Sequence, residues 1–239
     1  MPLSSSRSQV FGLIAFVLVS PLALPARAAL VTYNFTGTIS TVNDPTGILG
    51  GQVHLGDSYS GSLTFDTSAS GTNLGTTRAF YNFDPTYAKN YTPPVGITAL
   101  AGSYAIRPDY FYGDMGVQVF NNAPTTLGVL ADGLVAQQNY NGPAGQFQSL
   151  VELVDTSASV YSSLALPTSV STSSFNIGDF SYSRSVISNN TSTQVTLFSG
   201  TINGLRPSAV PEPASLLLLI GGLLGLGGWF RAASRHATA

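Results

Sequence analysis

The sequence predicts an all-β fold, an antiparallel β-sandwich of jelly-roll-like form, lying between two apolar terminal segments. Short stretches in which large apolar and small polar residues alternate recur throughout residues 29–205. Clusters of Gly, Pro, Asn and Asp separate them, as turns separate short strands. Apart from a short stretch near 127–135, this part of the chain has no helical period. Many short strands at this spacing are typical of a sandwich.

Nine or ten strands are expected. The first alternates large and small residues over 31–39, and the most apolar, 147–154, is expected to be central in a sheet. The other predicted strands are 59–65, 78–83, 97–106, 115–120, 161–166, 175–182 and 195–202.

A five-residue pattern occurs near both ends of this region. Residues 35–39 are Phe-Thr-Gly-Thr-Ile, and residues 198–202 are Phe-Ser-Gly-Thr-Ile. We expect the two strands that carry the pattern to be neighbours in one sheet. Their pairing would bring the two ends of the domain together.

Composition excludes several classes of function. Charged residues make up 8% of the chain, against about 25% in an average globular domain. A formal net charge of −2 provides no basic surface, so no nucleic-acid partner is expected. The chain has no cysteine, which excludes disulfides, thiol nucleophiles and zinc-thiolate sites.

The N-terminus has the features of a signal peptide. Arg7 precedes an apolar run over 10–24, and the small residues Ala26 and Ala28 follow it. This arrangement predicts a signal peptide over 1–28, cut by signal peptidase between Ala28 and Ala29. The rest of the chain would therefore be exported across the inner membrane.

The C-terminus carries a second signal. After a spacer at 206–210 come Pro211, Glu212 and Pro213, and then an apolar, Gly- and Leu-rich run over 216–230. Two prolines keep the tripeptide extended outside a bilayer. The run predicts one short transmembrane helix, which a thin or locally thinned bilayer would accommodate. Its basic residues, Arg231 and Arg235, would hold the end of the chain in the cytoplasm.

This order of features resembles the PEP-CTERM sorting signal over 211–239. The resemblance implies an exported protein of Gram-negative bacteria. It also implies that an exosortase recognises Pro211, Glu212 and Pro213; exosortases are integral-membrane cysteine transpeptidases. It also implies transient anchoring in the inner membrane by the C-terminal helix. Release to the cell surface or extracellular matrix would follow, in association with exopolysaccharide and biofilm.

The exported domain, 29–205, offers little for catalysis. Its single histidine is His54, and no Gly-x-Ser-x-Gly elbow is present, so a Ser-His-Asp site is not expected. Glu152 and Asp155 are an odd number of residues apart and should face opposite sides of a strand. Glu152 is expected to face outward between Val151 and Leu153. We therefore expect a non-catalytic surface or matrix protein, while a glycoside hydrolase or related hydrolase would need two acids converging in a groove.

Two binding alternatives stay open. A carbohydrate-binding module would use an aromatic platform around Asp109, Tyr110 and Tyr112, whose rings and carboxylate suit sugar faces and hydroxyls. No cofactor is expected, but a structural calcium is an alternative because loop carboxylates are plentiful. Most of these carboxylates are expected to cap their own turns instead. They are Asp44, Asp57, Asp66, Asp109 and Asp114.

Overall fold

The computed structural model describes residues 30–83, 95–106, 114–124, 129–142, 145–170, 172–188 and 191–208. These residues form eleven β-strands and one 3-10 turn, Thr172–Ser174, and contain no α-helix. The strands are β1 Leu30–Val42, β2 Ser58–Asp66, β3 Thr72–Asn73, β4 Arg78–Phe83, β5 Gly96–Ala101, β6 Tyr104–Ile106, β7 Met115–Pro124, β8 Leu130–Gly142, β9 Gly145–Asp155, β10 Ile177–Ser188 and β11 Thr191–Pro207.

All eleven strands lie in one hydrogen-bonded sheet, in the order β3-β4-β7-β8-β9-β10-β11-β1-β2-β5-β6. Every neighbouring pair is antiparallel, which confirms the predicted all-β, antiparallel class. β9, which contains the most apolar run, lies in the interior of the sheet as expected.

The sheet is bent so that its two halves face each other. β2 and β3 are eight strand spacings apart, about 38 Å in a flat sheet, yet residues 67–71 alone connect them. Six residue steps reach at most about 22 Å, so the connection requires a bend. Contacts across the bend agree with this: the Ile97 amide of β5 donates to Gln138 Oε1 of β8 at 2.6 Å. The Tyr104 ring of β6 lies 5.9 Å from the Tyr182 ring of β10.

Aromatic side chains from the consecutive strands β10, β11, β1 and β2 pack against one another in the core. Phe35 of β1 packs against Phe180 of β10 with ring centroids 5.3 Å apart, and Tyr59 of β2 contacts the same ring at 5.4 Å. Phe180 also packs against Phe198 of β11 at 6.0 Å. Each fully buried ring of this kind contributes about 1.5–3 kcal/mol, so the core is the main source of stability.

The repeated five-residue pattern is paired as predicted. In the β1–β11 ladder, Thr38 is opposite Thr201 and Ile39 is opposite Gly200. The ring of Tyr59 covers both glycines of the pattern, because a Cβ on Gly37 or on Gly200 would overlap it. The glycines therefore leave space for one shared aromatic side chain.

The ends of the described domain consequently lie side by side. The Ser208 amide donates to the Thr32 carbonyl at 2.7 Å, and Tyr33 is opposite Pro207. β11 continues through Arg206 and Pro207, so the first two residues of the predicted spacer belong to the last strand.

Three sequence-based expectations about strands were wrong. The predicted strand 97–106 is two strands, β5 and β6, joined by a turn in which Gly102 has φ of +55°. Of the stretch near 127–135 with a helical period, residues 130–135 belong to β8, where Leu134, Ala136 and Gln138 alternate into the core, and residues 127 and 128 lie outside the described residues. Over so short a length, the apolar residues fit a helical and a strand period equally well. Pairing with the neighbouring strands decides that the segment is a strand.

The predicted strand 161–166 belongs instead to the loop between β9 and β10. Its backbone groups bond to side chains of the sheet: the Tyr161 amide donates to Asp132 Oδ2 at 2.8 Å, and Tyr81 Oη donates to the Leu164 carbonyl at 2.8 Å. Leu166 is buried against the core. The apolar residues that suggested a strand therefore pack against the core and hold the loop on the sheet.

Candidate functional site

Most of the predicted site residues lie outside the described residues. They are the tripeptide Pro211, Glu212 and Pro213, the basic residues Arg231 and Arg235, the cleavage positions Ala28 and Ala29, and the sugar-binding candidates Asp109, Tyr110 and Tyr112. In the part of the chain that the structure describes, no helix has the length and hydrophobicity to cross a membrane.

The two acids considered for catalysis do face opposite sides of β9. Val151 and Leu153 are buried in the core, Glu152 lies half-buried on the outer face of the sheet, and Asp155 is 5% exposed. A shared role for Glu152 and Asp155 in one catalytic site is therefore excluded by the geometry.

The structure pairs Glu152 with a different acid. Asp179 of β10 is directly opposite Glu152 in the ladder, on the outer face. Burial, and then the charge of Asp179, raises the pKa of Glu152, and burial raises the pKa of Asp179. Like charges at opposed positions destabilise a sheet. Sequence reasoning missed this pair because 27 positions separate the two acids, and only the strand register brings them together.

The surroundings of this pair do not resemble those of a hydrolase. Val135 and Thr201 are the next residues of the same row across the sheet. Two clefts open on the domain, one beside Asp155 and one across β11, β1, β2 and β5. Neither Glu152 nor Asp179 lines either of them. Glycoside hydrolysis needs two carboxyl groups in distinct environments on either side of a bound sugar, whereas these two stand beside each other on a sheet face.

The turn aspartates fasten their own loops. Asp44 accepts hydrogen bonds from the amides of Ile48 and Leu49, at 2.9 and 2.7 Å. Asp57 accepts the amide of His54 at 2.8 Å, and its Oδ2 lies 3.3 Å from His54 Nδ1. Among the described residues, no three His, Asp or Glu side chains form a group that could hold a metal ion.

Asp155 is a buried acid whose carboxylate accepts four hydrogen bonds from its own turn. Its Oδ1 accepts the hydroxyl and amide of Ser157 at 2.6 and 2.9 Å, and its Oδ2 accepts the amide and hydroxyl of Ser159 at 2.8 and 3.1 Å. The hydrogen bond from the Ser157 hydroxyl, aided by those from Ser159 and the Ser157 amide, lowers the pKa of Asp155 to about 2. Both oxygens of the Asp155 carboxylate therefore serve to stabilise the turn.

A polar cleft of about 430 Å3, here called the serine cleft, opens beside Asp155. Ser157, Ser159 and Asn176 are among its lining residues. The two serines bond to Asp155, and Asn176 Oδ1 accepts the Thr156 amide at 3.1 Å. Since these three side chains bond to groups of the same loop region, they stabilise the turn after β9 and are not available to a ligand.

A second cleft, here called the bulge groove, lies on the outer face and measures about 310 Å3. Its lining residues come from four neighbouring strands and the β5–β6 turn. They include Thr36, Ser58, Ser60, Leu100, Gly102 and Asn203. None of the lining residues carries a charge.

A β-bulge shapes this groove. Thr36 of β1 is opposite Gly204 and Gly37 is opposite Ile202, which leaves Asn203 as an extra residue in β11. Asn203 is exposed, and its Nδ2 donates to Thr38 Oγ1 at 3.1 Å. Bulges re-aim side chains and are common beside functional sites. A glycine within a strand pattern, here Gly204, is the sequence signal that would have suggested the bulge.

Hydroxyl groups inside and outside the bulge groove differ. Two pairs of hydroxyls elsewhere on the face bond across strands: Thr41 with Ser199 at 2.7 Å, and Ser62 with Thr98 at 2.8 Å. The hydroxyls of Thr36, Ser58 and Ser60 make no hydrogen bond to any residue that the structure describes. The groove therefore brings three such hydroxyls together in one concave place on this face.

Comparisons with known proteins add no family assignment. No protein-family model matches the sequence, and no curated protein or solved structure has significant similarity to it.

Proposed function

We propose that this chain is an exported, non-catalytic surface or extracellular-matrix protein that an exosortase sorts and processes at Pro211, Glu212 and Pro213. The observation that carries the proposal is the ordered C-terminal sequence: the tripeptide, the apolar run 216–230, and the basic residues Arg231 and Arg235. Signal peptidase acts first, between Ala28 and Ala29. The released protein associates with exopolysaccharide.

The positions of the two domain ends support attachment of both terminal segments to one membrane. Leu30, one residue after the proposed cleavage position, begins β1, and Pro207 ends β11 beside it. Three residue steps join Ser208 to Pro211, a reach of at most about 11 Å. Both membrane-linked segments would thus leave the domain close together, an arrangement that suits attachment to a single membrane.

A sandwich-like arrangement, the finer part of the fold expectation, is also proposed here. The bend of the single sheet stacks its two halves, with the Ile97 amide bonded to Gln138 Oε1 between them. Such a domain presents two broad polar faces. It needs no cleft to act as a coat or matrix component.

Epitope tagging of the C-terminus tests the sorting step. The full chain, tagged after Ala239, is expressed in a Gram-negative host with and without an exosortase. With the enzyme, we expect the tag to be lost and the remaining chain to begin at Ala29, as read by intact mass. A Pro211→Ala/Pro213→Ala variant should keep its tag and stay in the membrane fraction.

A proline outside the tripeptide provides the matched control. Pro45 is exposed in a turn, and Pro45→Ala should be processed like the parent. Equal loss of the tag from the parent and from the double variant would contradict the proposal. So would loss of the tag in a host without an exosortase.

A further inference from the structure

The bulge groove has the chemistry of a binding site for an uncharged, hydroxyl-rich ligand. Three hydroxyls, on Thr36, Ser58 and Ser60, lack protein partners among the described residues, and Asn203 adds an amide. Hydroxyls and amides exchange hydrogen bonds with sugar hydroxyls in both directions, since each hydroxyl both donates and accepts. Leu100, 47% exposed, adds an apolar surface for the C–H face of a sugar ring.

The bulge fixes the amide in one orientation. The Asn203 Nδ2 group donates to Thr38 Oγ1 at 3.1 Å, which turns Oδ1 away from Thr38 and leaves it available as an acceptor. Asn203 occupies this place only because it is the unpaired residue between Gly204 and Ile202. A pre-positioned acceptor loses less entropy on binding than a mobile one.

The paired strands around the groove and its uncharged lining exclude two classes of ligand, an added peptide strand and an anionic polymer. β1 pairs with β11 and β2 on its two sides, and β2 pairs with β1 and β5, so their backbone groups are used within the sheet. Addition of a peptide strand, which requires free backbone groups at an edge, is therefore excluded here. The lining holds no cation, so an anionic polymer would meet no opposite charge.

The serine cleft is a useful contrast. It is larger, but two of its serines, Ser157 and Ser159, bond to Asp155, and Asn176 bonds to Thr156. A ligand there would have to displace internal hydrogen bonds, whereas in the bulge groove it would form new ones. Unused polar groups and an exposed apolar side chain occur together only in the second of these two clefts.

We propose that the bulge groove binds a segment of a neutral polysaccharide, with Ser60 and Asn203 as the principal hydrogen-bonding residues and Leu100 against a sugar ring. This inference rests on the proposed association with exopolysaccharide and assigns that association to a place on the domain. It does not involve the tyrosine-rich segment considered from the sequence.

Affinity electrophoresis of the full chain in mild detergent tests the inference. The probes are three neutral polymers, dextran, laminarin and galactomannan, and one anionic polymer, alginate. We expect at least one neutral polymer to retard the parent chain and alginate to leave it unretarded. The Ser60→Ala/Asn203→Ala variant should bind that neutral polymer about tenfold more weakly, the loss expected for about two neutral hydrogen bonds.

Thr41→Ala/Ser199→Ala is the matched control, because it also removes two polar groups from the same face, but from a pair that bond to each other. It should bind like the parent. A second groove variant, Ser60→Arg, fills the groove with a bulky side chain and should abolish binding. Thermal melting of each variant verifies that the domain is folded.

Three results would overturn the inference: no retardation of the parent by any neutral polymer, parent-like binding by both groove variants, or equal losses in the control and the Ser60→Ala/Asn203→Ala variant. Co-sedimentation with exopolysaccharide from the producing organism separates this failure from that of the proposed function. If parent and groove variants sediment alike, the association stands and the groove is wrong. If the tag-loss experiment fails while the groove binds, the sorting step is wrong and the groove stands.

Discussion

Two turns of this protein have the same sequence. Asp-Thr-Ser-Ala-Ser follows β2 at 66–70 and follows β9 at 155–159. In both, Oδ1 of the aspartate accepts the amide and the hydroxyl of the serine two positions later, at 2.8 and 2.7 Å in the first turn and at 2.9 and 2.6 Å in the second. In both, the alanine amide donates to the aspartate carbonyl.

The two turns differ in their last two residues. Ser159 donates its amide and hydroxyl to Asp155 Oδ2, whereas Ser70, at the corresponding position, makes no hydrogen bond to Asp66. Ala158 has φ of +51°, and Ala69 is not among the residues of positive φ. Beyond the second turn, the Tyr161 amide is held by Asp132. The shared sequence therefore forms the same aspartate-serine hydrogen bonds in both turns, while the path of the chain beyond them differs with its tertiary contacts.

The largest expected effect comes from the carboxylate of the second turn. Asp155→Asn would place an amide NH2 against groups that donate, and should lower the free energy of unfolding by about 3 kcal/mol. Urea denaturation at pH 7 measures this. Asp179→Asn, which removes a carboxylate facing Glu152, is the control and should not destabilise. A loss below about 0.5 kcal/mol for Asp155→Asn would show that the four hydrogen bonds of this turn contribute little.

Acid should weaken the same turn. The pKa of Asp155 is about 2 in the folded protein, below the ordinary value of 3.8, so the folded state favours the carboxylate. Its contribution is complete above pH 3.8 and is lost as the pH falls through about 2. Unfolding free energies measured from pH 6 to pH 2 should therefore converge for the parent and Asp155→Asn. Parallel curves over this range would contradict the assignment.

The serines at the last position of the two turns should respond unequally. Ser159→Ala removes a hydroxyl that donates to Asp155 and should cost about 1 kcal/mol, whereas Ser70→Ala should change stability by less than about 0.3 kcal/mol. The two substitutions are chemically identical, so each is the control for the other. Equal effects in thermal or urea unfolding would remove the distinction between the turns.

The smallest expected effect has opposite signs in the two turns. Ala158→Gly should stabilise the protein by about 0.5 kcal/mol, because glycine adopts positive φ without the clash of a Cβ. Ala69→Gly should destabilise it by about 0.5 kcal/mol, since glycine makes the unfolded chain more flexible with no compensating gain. Melting temperatures of the two variants test this pair. A shared sign would mean that the backbones of the two turns do not differ as described.

The sequence predicted much of the fold because most of the signals are local. The alternation over 31–39 gave β1, and the Arg78–Phe83 strand was predicted at its observed limits. β8 was missed, since Leu130, Leu134 and Val135 suit a helix as well as a strand. The loop residues 161–166 were misread because their partners, Asp132 and Tyr81, lie far away in the chain.

Less of the candidate site could be predicted. The proposed sorting signal is a linear pattern that can be read from the sequence alone and lies outside the described residues, whereas the outward position of Glu152 followed from its apolar neighbours. The Glu152–Asp179 pair and the bulge groove depend on strand register, which no short stretch of sequence specifies. The groove gathers Ser60, Leu100 and Asn203 from three strands.

By itself, the sequence determined which residues alternate into a core, where the aspartate-serine turns form, and that the two Phe-x-Gly-x-Ile strands suit each other. Each of these depends on side chains a few positions apart, or on a match between two short patterns. Only the tertiary structure decided that Tyr59 covers both glycines of that pair, that Ser159 bonds to Asp155 while Ser70 does not bond to Asp66, and that a bulge at Asn203 opens a groove. These features arise where the bent sheet brings distant segments into contact.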